Sequence, residues 1–174
     1  GHVDGVTDPS NLSAWTTQQF DPTLNWADVE WIKKRWGGKL ILKGIQDVED
    51  ARLAVESGAD ALIVSNHGGR QLDGAESSIN ALPAIVDAVG NQIEVHMDGG
   101  IRSGQDVLKA VALGAKGVYI GRSFVYGLGA MGEAGVTKAL EIIHKEMDIT
   151  MALCGKTRIE HIDKSILLPG SYPT

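Results

Sequence analysis

The sequence predicts an α/β fold, the C-terminal half (about four βα units) of a TIM (β/α)8 barrel. Three observations indicate this. Short apolar runs without polar alternation are typical of buried parallel strands. Amphipathic helical patterns separate these runs, as expected for strands covered by helices. Finally, the first two strand–helix pairs resemble the next two, and successive units of such barrels are similar.

Four apolar runs are the predicted strands, at residues 40–42, 61–64, 93–97 and 117–120. A helix is predicted before them at 26–36, where Asn25 can act as the N-cap. The helices between the strands have predicted caps at Asp47, at Ser77 or Ser78, and at Ser103. A long final helix is predicted over 133–153. The order is therefore one helix followed by four strand–helix pairs.

An internal repeat with an offset of 56 residues relates the first two units to the last two. Gly44-Ile45 recurs as Gly100-Ile101, and Gly58-Ala59 recurs as Gly114-Ala115. An open doubly wound sheet would also satisfy the order of elements. The repeat favours the barrel, because barrels are built from similar successive units.

The chain divides into three predicted segments. Residues 1–24 are predicted to be a loop segment, since they are rich in Gly, Asp, Ser and Thr and include Pro9 and Pro22. Residues 25–155 hold the four βα units, and 156–174 form a C-terminal tail. A four-stranded arc leaves two open edges and an uncovered apolar face. We therefore expect a complementary N-terminal half of the barrel as partner, and homo-oligomers.

Composition excludes several classes of protein. The 174 residues suffice for one domain, with a hydrophobic fraction of 43%. The net charge of −6 argues against a nucleic-acid partner. The single cysteine, Cys154, excludes an internal disulfide framework and fits a reducing compartment. No apolar run approaches the roughly 18 residues of a membrane span. These features predict a cytoplasmic protein. The spacing of potential ligands predicts no metal site.

Polar or glycine residues follow all four predicted strands. Lys43 ends the first strand, residues 65–70 follow the second, 98–102 follow the third, and Gly121-Arg122 follow the fourth. The C-terminal ends of barrel strands meet at one face, where the functional residues of such barrels collect. The four junctions together predict one site.

The last two junctions predict phosphate binding. Asp98-Gly99-Gly100-Ile101-Arg102 leads into one helix, and Gly121-Arg122 leads toward another. Glycine lets backbone N–H groups approach an anion, the helix N-terminus favours negative charge, and arginine adds a charged contact. The alternative is that these glycines only form tight turns.

The segment SNHGGRQLD, residues 65–73, predicts proton abstraction from a small acid. His67 can act as a general base near neutral pH. Arg70 offers a planar fork suited to a carboxylate. Lys43 can balance negative charge that develops on a cofactor ring. The alternatives are a structural histidine, a solvated arginine and an ordinary charge at a strand end.

At these residues the chain resembles the FMN-dependent α-hydroxy acid oxidising enzymes, a family that includes glycolate oxidase, L-lactate dehydrogenase and mandelate dehydrogenase. The matching motifs are ILKG at 41–44, SNHGGRQLD at 65–73, DGGIRSGQDVLKAVALGA at 98–115 and GR at 121–122. The resemblance extends from about residue 20 to about residue 155 and corresponds to the second half of that family's barrel.

The resemblance implies FMN as cofactor and a role for each matching residue. His67 would be the base that deprotonates the substrate, and Arg70 would bind its carboxylate. The implied cofactor-binding residues are Lys43, Ser65, Asp98, Gly99, Gly100, Arg102, Gly121 and Arg122. Among these, Lys43 would lie at the flavin N1 and Ser65 would contact the flavin. The ribityl chain and phosphate would be held by Asp98, Gly100, Arg102, Gly121 and Arg122.

The implied activity is oxidation of a lactate-like L-2-hydroxy acid to the 2-oxo acid. Family members also use a tyrosine, an arginine and an aspartate from the first half of the barrel, so the isolated chain is expected to be inactive. One alternative is a non-catalytic, self-associating half-barrel that binds phosphate or FMN. Another is a different FMN barrel oxidoreductase. The electron acceptor and a peripheral location on the inner membrane face stay open.

Overall fold

Four parallel strands form a single sheet in the order β1-β2-β3-β4 in this computed structural model, which describes residues 12–173. The strands are β1, Ile41–Ile45; β2, Ala61–Val64; β3, Glu94–Asp98; and β4, Gly117–Tyr119. Each connection advances by one strand in the same direction. A doubly wound sheet would reverse this order at a switch point. The prediction of a four-unit arc of a (β/α)8 barrel is confirmed.

Six α-helices accompany the sheet in the described residues. They are α1, Leu12–Gln19; α2, Trp26–Trp36; α3, Val48–Glu56; α4, Ser78–Val89; α5, Gly104–Ala112; and α6, Arg122–Leu153. The predicted caps are present at α2, α3 and α5, where the side chains of Asn25, Asp47 and Ser103 accept backbone N–H groups. Ser77 precedes α4 without a capping hydrogen bond from its side chain.

Two helices differ from the prediction. The helix α1 lies within the segment predicted to be a loop, between the helix-breaking Pro9 and Pro22. Residues 1–11 of that segment lie outside the described residues. The final helix begins at Arg122 instead of residue 133 and is broken at Gly132, whose φ is +61°. No helix of residues 12–173 is long and apolar enough to span a bilayer.

The first arm of α6, which precedes Gly132, is rich in glycine and was therefore not predicted to be helical. The packing of this arm requires glycine. The two arms of α6 cross where Gly127 meets Gly135, and a Cβ on Gly135 would clash with the Gly127 carbonyl oxygen. A glycine-rich stretch normally predicts a loop, because glycine is a poor helix former. Here the close approach of two helix backbones explains its presence.

The core lies between the helices and one face of the sheet. Its fully buried members include Leu62, Val64, Leu82, Ile85, Val89, Val95 and Met97. The opposite face of the sheet carries Lys43, His96 and Tyr119, and Tyr119 is 42% exposed. Within the described part of the chain this second face has no covering layer. The expected uncovered face is therefore present.

A β-bulge in β1 assigns its side chains to the two faces. Lys43 pairs with Ile63 and Ile45 pairs with Val64, so Gly44 is an extra residue with a φ of +104°. Strict alternation would place Ile45 on the same face as Lys43. The bulge instead directs Ile45 into the core, where it is 8% exposed. Lys43 remains on the open face.

Asp60 joins α2 to the start of β1. Its carboxylate accepts hydrogen bonds from Lys33, from Lys39 Nζ at 2.9 Å and from the Leu40 backbone N–H at 2.8 Å. The hydrogen bond from Lys33 is the main cause, and that from Lys39 the next, of an Asp60 pKa well below its usual range.

Replacing Asp60 by Asn is expected to lower the melting temperature at pH 7, and to lower it by less near pH 2. The folded-state pKa of Asp60 lies below the unfolded value of about 3.9. Its stabilising effect is therefore complete above that value and is lost as the pH falls toward the folded-state pKa. Melting curves of both proteins from pH 7 to pH 2 test this. Asp87→Asn, at an exposed position of α4, is the control. A difference independent of pH would contradict the prediction.

Candidate active site

The carboxyl ends of the four strands open onto one cleft of about 630 Å³. The predicted site residues that line it are Lys43, His67, Arg70, Asp98, Gly99, Gly100, Arg102, Gly121 and Arg122. The remaining one, Ser65, is fully buried beside them. Residues that are far apart in the sequence thus meet because parallel strands end at the same edge.

A lysine and an aspartate form an ion pair at the floor of this cleft. Lys43 Nζ lies 3.0 Å from Asp98 Oδ2 and donates a hydrogen bond of 3.0 Å to Ser65 Oγ. The other carboxylate oxygen, Asp98 Oδ1, is buried and has no hydrogen-bond partner among the described residues. Buried polar atoms are nearly always paired. A ligand hydroxyl or N–H group would satisfy this oxygen.

The turn after β2 holds His67 in an unusual backbone conformation. His67 has a φ of +55° and starts a short 3₁₀ helix, His67–Gly69. Its N–H donates to Ser65 Oγ at 3.1 Å, and the Gly68 N–H donates to Asn66 Oδ1 at 3.0 Å. A positive φ in a residue other than glycine costs free energy and persists only where the surroundings impose it. This turn is therefore fixed by its hydrogen bonds.

The two reactive side chains of the turn are unpaired. The ring nitrogens of His67 and the guanidinium of Arg70 make no hydrogen bond or ion pair within residues 12–173, and both residues are exposed. An unpaired imidazole can accept a proton, and an unpaired guanidinium can bind a carboxylate. Both line the same cleft, as the sequence predicted.

The N-terminus of α5 is already occupied by carboxylates of the chain. The N–H groups of Arg102 and Ser103 donate to Asp106 Oδ2, each at 3.0 Å. The Gly104 N–H donates to Glu146 Oε2 at 2.9 Å. Two negative charges at these amides disfavour a third. The expectation that this helix N-terminus binds phosphate is therefore not supported by the geometry.

The N-terminus of α6 is available instead. Gly121 is its N-cap, and no side chain caps the first turn. The first N–H groups of a helix without a cap are free to bind an anion. Arg102 and Arg122 line the cleft at this point, and Arg122 Nη2 donates to the Gly68 carbonyl at 2.8 Å. The geometry that could bind an anion is therefore concentrated at the β4–α6 junction.

Tyr119 also lines the cleft, although it was not among the site residues predicted from the sequence. It pairs with Asp98 across β3 and β4. Its signal in the sequence was the alternation of β4, because Val118 packs against the core and Tyr119 must then face the opposite side. In the same described residues, no cluster of His, Cys, Asp or Glu could hold a metal ion.

Curated relatives match nearly the whole chain. L-Lactate dehydrogenase of Caulobacter vibrioides is 51% identical over 167 residues, which is 96% of this chain and 43% of that protein. L-Lactate dehydrogenase of Pseudomonas syringae is 54% identical over 167 residues, 96% of this chain and 44% of that protein. The chain thus spans less than half the length of these relatives.

Solved structures share the fold. Monotopic membrane (S)-mandelate dehydrogenase superposes with a TM-score of 0.85 at 37% identity, covering 95% of this chain and 44% of that one. Mandelate oxidase superposes with a TM-score of 0.82 at 46% identity, covering 88% and 44%. Residues 2–169 match the model of the FMN-dependent dehydrogenases. By this match, and by its likeness to these relatives, the chain belongs to the FMN-dependent dehydrogenase family.

Proposed function

We propose that this chain provides the FMN site and the catalytic base of an enzyme that oxidises a lactate-like L-2-hydroxy acid to the 2-oxo acid. One observation carries the proposal. The unpaired imidazole of His67 and the unpaired guanidinium of Arg70 line one cleft with Lys43 and two further arginines. A phosphate site alone would need neither His67 nor Arg70.

FMN is the cofactor of this family, and the residues present fit it. The uncapped N-terminus of α6, with Arg102 and Arg122, would hold the phosphate. The unpaired Asp98 Oδ1 would accept a hydrogen bond from a ribityl hydroxyl. Lys43 would lie beside the ring system, where a positive charge favours the reduced form. Bound FMN supplies the acceptor of two electrons.

Two side chains of the turn after β2 would have separate roles: one would bind the substrate and the other would take a proton from it. Arg70 would bind the substrate carboxylate through its planar fork and so orient the molecule. His67 would then take a proton from the substrate on an imidazole nitrogen. Ser65 accepts hydrogen bonds from the His67 N–H and from Lys43, so it joins the two parts of the site.

Activity is proposed to require the part of the barrel that the longer relatives contain. The ring nitrogens of His67 have no hydrogen-bond partner in residues 12–173, and a base without an orienting group is less effective. The open face of the sheet also leaves one side of the cleft uncovered. The complementary half would supply both. Homo-oligomers are proposed as well.

Peripheral membrane association is proposed for the complete protein. One solved relative, (S)-mandelate dehydrogenase, is described as a monotopic membrane protein. The inner membrane face is proposed as the location of this association.

A chimera tests the proposed function. In it, this chain replaces the matching segment of the Pseudomonas syringae L-lactate dehydrogenase, to which it is 54% identical. The purified chimera is expected to carry FMN and to lose its visible flavin absorbance when L-lactate is added without oxygen. The 174-residue chain alone, given FMN, is expected to show no such loss, because it lacks the second wall of the site.

The two arms of this experiment have distinct unfavourable outcomes. Flavin bleaching by the chain alone would disprove the need for a complementary half. A chimera that binds FMN but is not reduced by L-lactate, glycolate or L-mandelate would leave only a flavin-binding module. The unmodified Pseudomonas syringae enzyme serves as the reference for complete reduction.

A further inference from the structure

Gly44 of the β1 bulge lies directly against the imidazole of His67. A Cβ placed on Gly44 would lie 2.6 Å from His67 Cε1, 3.4 Å from Nε2 and 3.6 Å from Nδ1. A separation of 2.6 Å is far below carbon–carbon van der Waals contact. The edge of the ring that carries both nitrogens therefore packs on a stretch of backbone without a side chain.

The bulge and the histidine turn are separate features of the fold that meet at this point. Gly44 has a φ of +104°, which glycine adopts readily. Because Gly44 is the extra residue, Lys43 faces the cleft and Ile45 faces the core. The bulge thus brings a side-chain-free residue beside His67 while it directs Lys43 into the same cleft.

The other contacts of the turn hold its backbone and make no hydrogen bond to the His67 ring. The Ser65 hydroxyl accepts the His67 N–H, and Asn66 N donates to Ser78 Oγ at 3.2 Å. Arg122 reaches the Gly68 carbonyl. None of these groups hydrogen-bonds the imidazole nitrogens. In the part of the chain described here, the orientation of the ring is therefore limited by packing against β1.

We propose that Gly44 is a positioning residue for the catalytic base: by lacking a Cβ it lets the His67 imidazole lie against β1 and so sets the direction of its nitrogens in the cleft. This inference rests on the proposed role of His67. It adds a second function to the β1 bulge, beyond the placement of Lys43. Any side chain at position 44 would push the ring outward into the cleft.

A double-mutant cycle in the 174-residue chain tests the contact without cofactor. Melting temperatures are measured for the unmodified chain, Gly44→Ala, His67→Ala and the double variant. Gly58→Ala is the control for backbone strain, because Gly58 has a φ of +77° and a Cβ there would meet nothing within 4 Å. We expect Gly44→Ala to lower the melting temperature by roughly twice as much as Gly58→Ala.

Removal of the imidazole is expected to abolish that excess. In the His67→Ala background, Gly44→Ala should cost no more than Gly58→Ala, because only the strain of the positive φ remains. If Gly44→Ala alone does not fold, recovery of folding in the double variant gives the same answer. An equal loss with and without His67 would overturn the proposal.

Ring position is read directly from the ¹³Cε1 signals of the five histidines. The His67 signal, assigned as the one absent from His67→Ala, is expected to shift in Gly44→Ala and to stay in place in Gly58→Ala. A His67 signal unchanged by Gly44→Ala would overturn the proposal, since a purely structural glycine has no effect on the ring.

Kinetics of the chimera separate this inference from the proposed function. Gly44→Ala is expected to lower kcat for L-lactate with little change in KM, because Arg70 still binds the carboxylate. A shifted His67 signal with an unchanged kcat would support the positioning contact and count against His67 as the base. The His67 signal therefore tests the positioning contact, and kcat tests the role of His67 as the base.

Discussion

Replacing His67 by Asn in the chimera is expected to slow flavin reduction by L-lactate about 10²- to 10⁴-fold, the usual contribution of a general base. Asparagine is similar in size and keeps the backbone N–H that donates to Ser65 Oγ. It cannot take a proton at neutral pH. The loss should therefore appear in the rate of reduction and not in the amount of bound FMN. Stopped-flow absorbance without oxygen measures the rate directly.

His144→Asn is the matched control for this substitution. His144 is exposed on α6 and does not line the cleft. Its replacement should leave both FMN content and reduction rate unchanged. A reduction rate of His67→Asn within a few-fold of the unmodified chimera would remove His67 as the base. Loss of FMN from the variant would instead assign His67 a structural role in the turn.

The sequence was sufficient to predict the arrangement of the sheet and most of the residues that line the candidate cleft. Every residue of the run 61–64 is buried, and three of the four predicted caps, Asn25, Asp47 and Ser103, begin their helices as expected. Parallel strands end at one edge, so residues at the strand ends had to meet once the strands were known. Lys43 and Asp98 illustrate this, since 55 residues separate two groups whose atoms lie 3.0 Å apart.

Contacts between distant elements could not be predicted in the same way. The carboxylate of Glu146 binds the N-terminus of α5, 42 residues away in the sequence. Because of this contact, the N-terminus of α6 is the one left free to bind an anion. The first arm of α6 was missed because Gly127 favours a loop reading until its packing on Gly135 is known. Local propensity carries no information about such partners.

Replacing Arg70 by Gln in the chimera is expected to lower kcat/KM for L-lactate by roughly 30- to 4,000-fold. The range corresponds to the loss of about 2–5 kcal/mol when one partner of a buried, hydrogen-bonded charge pair is removed. Arg70 has no other partner in residues 12–173, so its guanidinium is available for the substrate. Arg70→Lys keeps the charge but loses the planar fork, and its kcat/KM should lie between the two.

A second experiment removes the carboxylate of the substrate instead of its partner Arg70. The methyl ester of L-lactate lacks the negative charge, so the unmodified chimera and Arg70→Gln should oxidise it at similar rates. Arg52→Gln, an exposed position of α3 outside the cleft, should oxidise L-lactate as the unmodified chimera does. If Arg70→Gln slows the acid and the ester equally, Arg70 supports the turn of His67 and does not bind the carboxylate. A loss of rate with the acid but not with the ester would identify Arg70 as the group that binds the substrate carboxylate. Only the charged substrate would then depend on the guanidinium.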